Sequence, residues 1–436
     1  VQGSGASTPI APSVIVAVEG VVTATFQSAN QLSGFFLQEE DTAVDVDALT
    51  SEGIFVFCSM CPIRVVEGQR VRVNGTVSEF FGMTQINSTN VGSVTVINAG
   101  NNLAEITPAT IVLPVIGSID EYYEPREGML VRYTDALSVS DSFDLPRYGQ
   151  VALYQGERPR QFTEMTAPST AGYASHMAGL AARRVSLDDE NNSQNALLDP
   201  VEGLQAAYYP RQNGGFSIGA QGADYFRGGD IVNDLTGVLH WSFAGMPGTD
   251  GWRIRPTLAT PAVFTPTNSR STMPPAVGGA IRAVGLNLLN YFTTIDNTAS
   301  NSSGPCGPSG TMDCRGADSI AELNRQRERT ASVFCALNPD VAGLMELENT
   351  TPTDSINDLL AAINSQCGTA NPYYFSGTGS TLGGDAIRVQ IVYRSGVVVA
   401  VGSPMVDNDP INSRPTMAQT FDVVDPANGA FGERFT

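Results

Sequence analysis

Residues 319–345 read SIAELNRQRERTASVFCALNPDVAGLM, and this stretch decides the fold that we predict for the C-terminal part of the chain. Ser319 and Glu322 have the spacing of a helix capping box, and apolar side chains then recur at helical intervals until Pro339 stops the helix. Residues 341–345 have the short apolar run of a buried strand. A helix over 319–337 that leads directly into a buried strand predicts an α/β layer domain.

The same alternation of strands and helices extends outward from this stretch in both directions. A strand at 281–292 precedes the helix, and a second helix at 355–363 follows the buried strand. Further strands are predicted at 388–393, 397–401 and 420–424. We therefore assign residues 280–436 to an α/β two-layer domain.

The N-terminal half of the chain has a different pattern, in which short strands are separated by turns. Residues 1–110 predict a small barrel or sandwich, with strands at 14–26, 34–38, 53–58, 70–79 and 91–97. Residues 111–264 stay β-rich, with polar loops at 187–193 and 212–215, and predict a second β domain. The Pro and Ser content of residues 265–279 is typical of a linker. The predicted fold class is therefore multidomain, with a β-rich N-terminal half and a C-terminal α/β domain.

The charge of the chain limits the partners that it can attract. The 436 residues include 44 acidic and 24 basic side chains, the net charge is −20, and every basic residue is Arg. General electrostatic attraction to nucleic acid or to an anionic membrane is therefore excluded. A polyanionic substrate would need a local Arg patch or bound divalent cations. The apolar runs are too short to cross a bilayer, so we predict no membrane span.

The six cysteines and the N-terminus predict an exported protein. The chain starts at Val1 without a leader segment, which is typical of a processed protein that is secreted or held at the cell surface. Sequence spacing makes three local disulfides the simplest pairing, joining Cys58 to Cys61, Cys306 to Cys314, and Cys335 to Cys367. A redox role for the Cys58 pair is disfavoured because Pro62 and the residues after it predict a turn entering a strand, not a helix.

Other acidic and histidine residues carry weaker signals. Acidic side chains at 41–47 and 188–190 lack the spacing of a calcium-binding loop, and we expect them to be mostly solvated. His176 and His240 are far apart in sequence, have no ligand spacing, and are expected to be structural.

Two polar residues at predicted strand ends suggest a metal site. Asn287 lies near the end of the strand at 281–292, and Glu346 ends the next strand. A carboxylate and an amide at neighbouring strand ends can hold one hard cation, because Mg²⁺ takes few protein oxygens and keeps its remaining positions for water and phosphate. Such an ion would supply the positive charge that the acidic chain lacks.

Short motifs along nearly the whole chain give a more specific expectation. In the C-terminal part they are NLLNYF at 287–292, DCRGA at 313–317, RQR at 325–327, GLMELEN at 343–349, DAI at 385–387, VYR at 392–394, and RP at 414–415 followed by AQ at 418–419. In the N-terminal part they are QG at 2–3, GFFLQ at 34–38, TSEGIFVF at 50–57 and GMLV at 128–131. With these motifs the chain resembles the bacterial extracellular nucleases of the endonuclease/exonuclease/phosphatase superfamily. That family has the deoxyribonuclease fold, preceded by an oligonucleotide-binding-type barrel and an adjoining β domain.

The resemblance implies a function and a set of site residues. It implies a secreted, divalent-metal-dependent nuclease that hydrolyses extracellular DNA or RNA, with Mg²⁺ as the expected ion and Mn²⁺ or Ca²⁺ as alternatives. Glu346 would be the principal metal ligand and Asn287 a second ligand or a phosphate-orienting residue. Arg414 would contact a phosphate, and Asp385 lies in a further catalytic motif.

The family's remaining motifs should follow Arg414, namely a His, a Gly-Asp-x-Asn turn and an Asp-His pair. The sequence ends at Thr436 without them, so we expect an incomplete nuclease domain that is inactive alone. Three explanations stay open: the chain is a fragment, a cleaved C-terminal fragment of the same protein remains its partner, or the domain is a structural relic. The functional alternative is a non-enzymatic extracellular structural or adhesive protein.

Overall fold

The computed structural model describes residues 1–61, 63–193, 226–269, 271, 273–296, 303–350, 354–368, 370–377, 379–425 and 427–436. The polar loop predicted at 212–215 lies outside these residues. The chain divides into two compact units, Val1–Ser269 and Arg270–Thr436, with the boundary inside the predicted linker at 265–279.

The first sheet of the N-terminal unit closes on itself. Its strands are β1 (Ile15–Phe26), β2 (Gly34–Gln38), β3 (Gly53–Phe57), β4 (Arg70–Phe80), β5 (Met83–Asn87) and β6 (Val94–Asn98). The order β1-β2-β3-β5-β4 forms a five-stranded barrel because β4 also pairs with β1, and β6 joins the other strands through β4. A β-rich N-terminal half with a small barrel is thus confirmed. The strand predicted at 91–97 is β6, whereas β5, which completes the closure, was missed.

The second sheet of this unit has nine strands in the order β15-β12-β9-β10-β11-β14-β13-β8-β7. The strands are β7 (Ala109–Ile111), β8 (Leu130–Tyr133), β9 (Leu137–Asp141), β10 (Val151–Gln155), β11 (Arg184–Leu187), β12 (Ile231–Val232), β13 (Thr236–Ser242), β14 (Gly251–Arg255) and β15 (Phe264–Thr265). The α-helices that accompany them in the described residues of this unit are α1 (Ile119–Tyr123), α2 (Leu145–Tyr148), α3 (Phe162–Met165) and α4 (Thr170–Ala182).

The barrel and the nine-stranded sheet share buried side chains. Phe36 and Phe55 of the barrel belong to one apolar cluster with Leu130 of β8 and Val238 of β13. Burying these apolar groups together removes surface from water that neither sheet alone would cover. The segments that we predicted as separate domains, 1–110 and 111–264, therefore lie in one compact unit.

The described part of the C-terminal unit contains two sheets and two helices. A four-stranded sheet has the order β16-β17-β19-β18, and a second sheet has the order β20-β21-β22. The strands are β16 (Ala283–Tyr291), β17 (Val341–Glu348), β18 (Tyr373–Phe375), β19 (Ile387–Arg394), β20 (Val398–Asp407), β21 (Thr416–Val424) and β22 (Phe431–Phe435). The helices are α5 (Ile320–Leu337) and α6 (Asp354–Cys367). A nuclease-type sandwich stays a prediction.

Helix α5 connects the parallel strands β16 and β17 as its sequence predicts. Ser319 Oγ accepts a hydrogen bond from Glu322 N at 3.2 Å, and the helix ends at Asn338, whose φ of 46° is left-handed. Leu323 and Phe334 on its inner face pack into the cluster beneath α5 and α6. Helix α6 is longer than the predicted 355–363 and continues to Cys367.

Three disulfides join Cys58 to Cys61, Cys306 to Cys314, and Cys335 to Cys367, which are the pairs that spacing predicts. Such bonds persist in oxidising surroundings and fit an extracellular protein. Within the described ranges, none of the helices has both the length and the apolar character needed to cross a bilayer.

Candidate functional site

Strands β16 and β17 both lose regular pairing at the same edge of their sheet. The two strands run parallel up to the pair Asn287 and Met345, after which the register shifts as far as Tyr291. On its other side, β17 loses register with β19 between Leu344 and Leu347. Both strands therefore bulge where the sequence places Asn287 and Glu346, and we call residues 287–290 with 345–346 the bulge edge.

The backbone of the bulge edge is strained. Leu289, Asn290 and Glu346 have φ values of 56°, 54° and 64°, in the left-handed region that favours glycine. Each such residue costs on the order of 1–3 kcal/mol, and strained residues cluster at functional sites. Three of them on two adjacent strands therefore mark this edge as a candidate site.

Hydrogen bonds from three directions hold the strained segment. Asn290 N donates to Glu346 Oε2 at 3.1 Å, which links the two bulges directly. Leu289 N donates to Asn287 Oδ1 at 2.8 Å. From α5, Gln326 Nε2 donates to the carbonyl oxygens of Leu288 at 3.1 Å and Leu289 at 2.9 Å. The helix thus fixes the shape of the loop that carries Asn287.

The side chains of Asn287 and Glu346 remain accessible at this edge. Asn287 is exposed and Glu346 is half-buried. Glu346 Oε2 accepts the Asn290 N–H, and within the described ranges its Oε1 has no hydrogen-bond partner. One carboxylate oxygen is therefore available to a ligand.

A second carboxylate, Glu348, lies two residues further on but is already engaged. It is fully buried, and its Oε2 accepts hydrogen bonds from Thr293 N at 2.8 Å, Thr293 Oγ1 at 3.1 Å and Thr294 N at 3.2 Å. These contacts hold the chain that leaves β16. Glu348 is thus a structural carboxylate whose Oε2 is fully engaged, while its buried Oε1 lies 3.6 Å from the disulfide sulfur of Cys306.

The donor set of the bulge edge fits Mg²⁺ or Mn²⁺ better than Ca²⁺. Across the described part of the chain, no group of three or more His, Cys, Asp and Glu side chains could hold a metal ion. A cation here would have one carboxylate, from Glu346, and the amide of Asn287. Mg²⁺ is commonly held by one or two protein carboxylates and several waters, whereas Ca²⁺ takes about 6–8 oxygen ligands.

Asp385 and Arg414 form a second group of predicted site residues, together with Arg315. Arg414 Nε donates to Asp385 Oδ2 at 2.7 Å, and Arg315 Nη2 lies 3.3 Å from Asp385 Oδ1. Partial burial acts to raise the pKa of Asp385, but the Arg414 hydrogen bond and the charges of both arginines outweigh it and lower the pKa below its usual value. Asp385 therefore stays ionised, and this engagement favours a positioning role.

The two guanidinium groups beside Asp385 keep donors for a ligand. The side chains of Arg315 and Arg414 are 38% and 40% exposed. Arg414 uses only Nε in its contact with Asp385, so its terminal nitrogens remain free to donate within the described structure. Two half-exposed guanidinium groups held by one carboxylate can bind a phosphate group through several hydrogen bonds.

Asn349 connects this arginine group to the end of β17. Its Nδ2 donates to the carbonyl oxygens of Leu382 at 2.9 Å and Asp385 at 2.8 Å, and its backbone N donates to Ala386 O at 2.8 Å. The fully buried amide thus ties the loop that carries Asp385 to the strand that carries Glu346. The four predicted site residues fall into two groups, Asn287 with Glu346 and Asp385 with Arg414.

Several residues that shape the site were quoted in motifs but given no role. Gln326, Arg315, Glu348 and Asn349 all act through contacts with residues distant in sequence. Glu348 and Asn349 follow shortly after the apolar run of the predicted strand at 341–345. That position is the sequence signal that could have singled them out.

No family model, curated protein or solved structure matches the chain.

Proposed function

We propose that the C-terminal unit is a divalent-metal-dependent phosphodiesterase module that acts on DNA or RNA, within an exported protein. The observation that carries the proposal is the bulge edge. Three non-glycine residues there keep left-handed backbones, and at this edge the Asn287 side chain is exposed and the Glu346 side chain is half-buried. Strain of this kind persists where function requires it.

The residues of the site would divide the work of phosphate binding. Glu346 would hold the cation through its free oxygen, and Asn287 would orient a phosphate or complete the cation's ligands. When bound, Mg²⁺ supplies positive charge that polarises a phosphate oxygen and offsets charge developing there. Arg414 and Arg315, fixed by Asp385, would donate hydrogen bonds to the same phosphodiester.

The general base is not among these residues. Asp385 is held ionised in ion pairs, and both histidines of the chain lie in the N-terminal unit. The resemblance assigns the base to a histidine downstream of Arg414. We therefore propose the chain as the metal- and phosphate-binding part of the enzyme.

The barrel supports a nucleic acid as the substrate. Its strand order, β1-β2-β3-β5-β4 with closure onto β1, is compatible with an oligonucleotide-binding-type barrel. The three disulfides support export.

Binding tests the proposal without depending on a general base. We expect Mn²⁺ to raise the affinity of the full chain for a fluorescent single-stranded oligonucleotide, measured by anisotropy. Glu346→Gln should abolish that increase, since it removes the anionic ligand but keeps the side-chain shape. Glu328→Gln changes an exposed carboxylate on α5 and should leave the increase intact. Equal Mn²⁺ dependence in both variants would reject the site and favour the structural or adhesive alternative.

A further inference from the structure

The N-terminal unit contains a pocket lined by aromatic side chains. The pocket has a volume of about 550 Å³ and lies between barrel strands β3, β4 and β5 and strand β13. We call it the aromatic pocket. Among the described residues, the Phe and Trp side chains that line it are Phe55, Phe57, Phe80, Phe81, Trp241 and Phe243. This volume accommodates a small ring-shaped ligand with its substituents.

Neutral hydrogen-bonding groups occupy the wall between the aromatic rings. Gln85 Nε2 donates to Asn87 Oδ1 at 2.9 Å, and Asn87 Nδ2 donates to Ser78 Oγ at 2.8 Å, so the three side chains form a fixed row. Ser242 also lines the pocket, is only 4% exposed, and its Oγ has no hydrogen-bond partner in the described structure. A buried hydroxyl without a partner is rare, and a ligand in the pocket would satisfy it.

The described residues of the pocket lining are uncharged. No Asp, Glu or Arg side chain is among the described residues that line the pocket, and the only other ionisable group is His240. Burial, followed by the neighbouring charges of Arg255 and Arg253, lowers the pKa of His240 well below its usual value, so the ring is neutral. The described lining therefore offers a phosphate or another anion no positively charged partner.

A strained turn positions the Phe81 ring at the pocket. Phe81 and Gly82 join β4 to β5 with φ values of 50° and 87°. A bulky residue is unusual in the first of these positions, where Asn, Asp or Gly is preferred. Trp241 Nε1 donates to Phe81 O at 2.9 Å and fixes the turn. The Phe81 ring is 50% exposed and lies edge-on to Phe80 at 4.8 Å and to Phe243 at 5.2 Å.

We propose that the aromatic pocket binds one unpaired nucleobase. A planar heteroaromatic ring can stack on the Phe81 ring, to which the Phe243 ring stands at 70°, and its polar edge can pair with the amides of Gln85 or Asn87 and with the Ser242 hydroxyl. The neutral lining accepts the base and leaves any attached phosphate in solvent. This inference stands on the N-terminal unit alone and uses neither Glu346 nor a metal ion.

Calorimetric titration of the full chain in EDTA tests this inference separately from the proposed function. We expect saturable binding of adenosine, no tighter binding of adenosine monophosphate, and little change with salt. Phe81→Ala should weaken adenosine binding about fivefold or more, as loss of a stacked ring predicts. Phe143→Ala, an 86% exposed phenylalanine of the same unit outside the pocket, should change it less than about twofold.

A second variant and two further ligands complete the test. Ser242→Ala removes only the unpartnered hydroxyl, so it should also weaken adenosine binding while thermal melting stays unchanged. Tighter binding of a short oligo(dA) than of adenosine would identify a strand as the source of the base, and equal binding would identify the free nucleoside. Three results would each overturn the inference. They are no saturable binding up to about 10 mM adenosine, adenosine binding by Phe81→Ala that equals that of the wild type, and tighter binding of a disaccharide than of adenosine.

Discussion

Leu289 has a strained backbone, and packing of its exposed side chain does not account for that strain. Its φ is 56° and its side chain is 78% exposed. Its backbone N–H donates to Asn287 Oδ1 and its carbonyl oxygen accepts a hydrogen bond from Gln326 Nε2, and these two bonds hold the strained conformation. The conformation therefore serves the loop around Asn287 and not the packing of Leu289 itself.

Leu289→Gly should stabilise the protein by about 1 kcal/mol, because glycine adopts a left-handed backbone without a Cβ clash. Thermal melting of the C-terminal unit measures the change. Val399→Gly is the control, since Val399 lies in β20 without a left-handed backbone, and this change should destabilise. Equal destabilisation by both changes would contradict the claim that the Leu289 backbone is strained.

A buried carboxyl in the N-terminal unit gives a pH-dependent prediction. Burial, aided by the charge of Glu124, raises the pKa of Glu127 to about 9, although Thr84 N donates to it. Between the unfolded value of 4.5 and about 9, the folded state keeps a proton that the unfolded state has lost. Stability should therefore fall as pH rises through this window, by at most about 1.4 kcal/mol per pH unit.

Glu127→Gln should remove most of this dependence and raise the melting temperature at about pH 8. Glu121→Gln changes an exposed carboxyl of α1 and should melt like the wild type at each pH. A Glu127→Gln variant with the same pH profile as the wild type would show that Glu127 is ionised in the folded protein. Glu52, whose pKa is raised to about 7 by partial burial and by Glu39, acts in the same direction over the narrower window from 4.5 to about 7.

At the scale of elements, sequence patterns predicted α5, β16 and β17 because each has a local signal. Ser319 and Glu322 cap the helix, and apolar residues at strand spacing cover β17. The bulge edge could not be predicted, since Leu289 and Glu346 carry no glycine signal and the bulges arise from pairing between distant strands. Strand β5 was missed because its sequence, MTQIN, has little apolar character.

The disulfide between Cys335 and Cys367 ties the last turn of α5 to the last residue of α6. Replacing both cysteines with Ser should lower the stability of the C-terminal unit by about 2–4 kcal/mol, because the bond closes a chain loop with a sequence separation of 32 residues. The matched control replaces Cys58 and Cys61, which are 3 residues apart and should matter less. Larger destabilisation by the control pair, measured by denaturant unfolding, would contradict this account.

At the scale of the whole molecule, the division near the linker followed from composition, but the packing of the N-terminal unit did not. We expected the acidic residues at 188–190 to be mostly solvated, which is wrong for Asp188 and Asp189. Both are buried, and Asp188 Oδ2 lies 3.1 Å from Arg253 Nη1 and 3.3 Å from Arg255 Nη2. His240 is structural, since it is buried and accepts a hydrogen bond from Arg255 Nε at 2.9 Å. The partners in these contacts lie far apart in sequence, so local sequence patterns could not predict the contacts.

The central claim is that the bulge edge binds a divalent cation through Glu346. Anomalous X-ray diffraction from crystals of the full chain grown with MnCl₂ tests it most directly, because the signal locates each Mn²⁺ ion. We predict an anomalous peak within bonding distance of the Glu346 carboxylate and beside Asn287, which Glu346→Gln crystals should lack. Mn²⁺ peaks found only at other acidic residues, with none at the bulge edge, would contradict the claim.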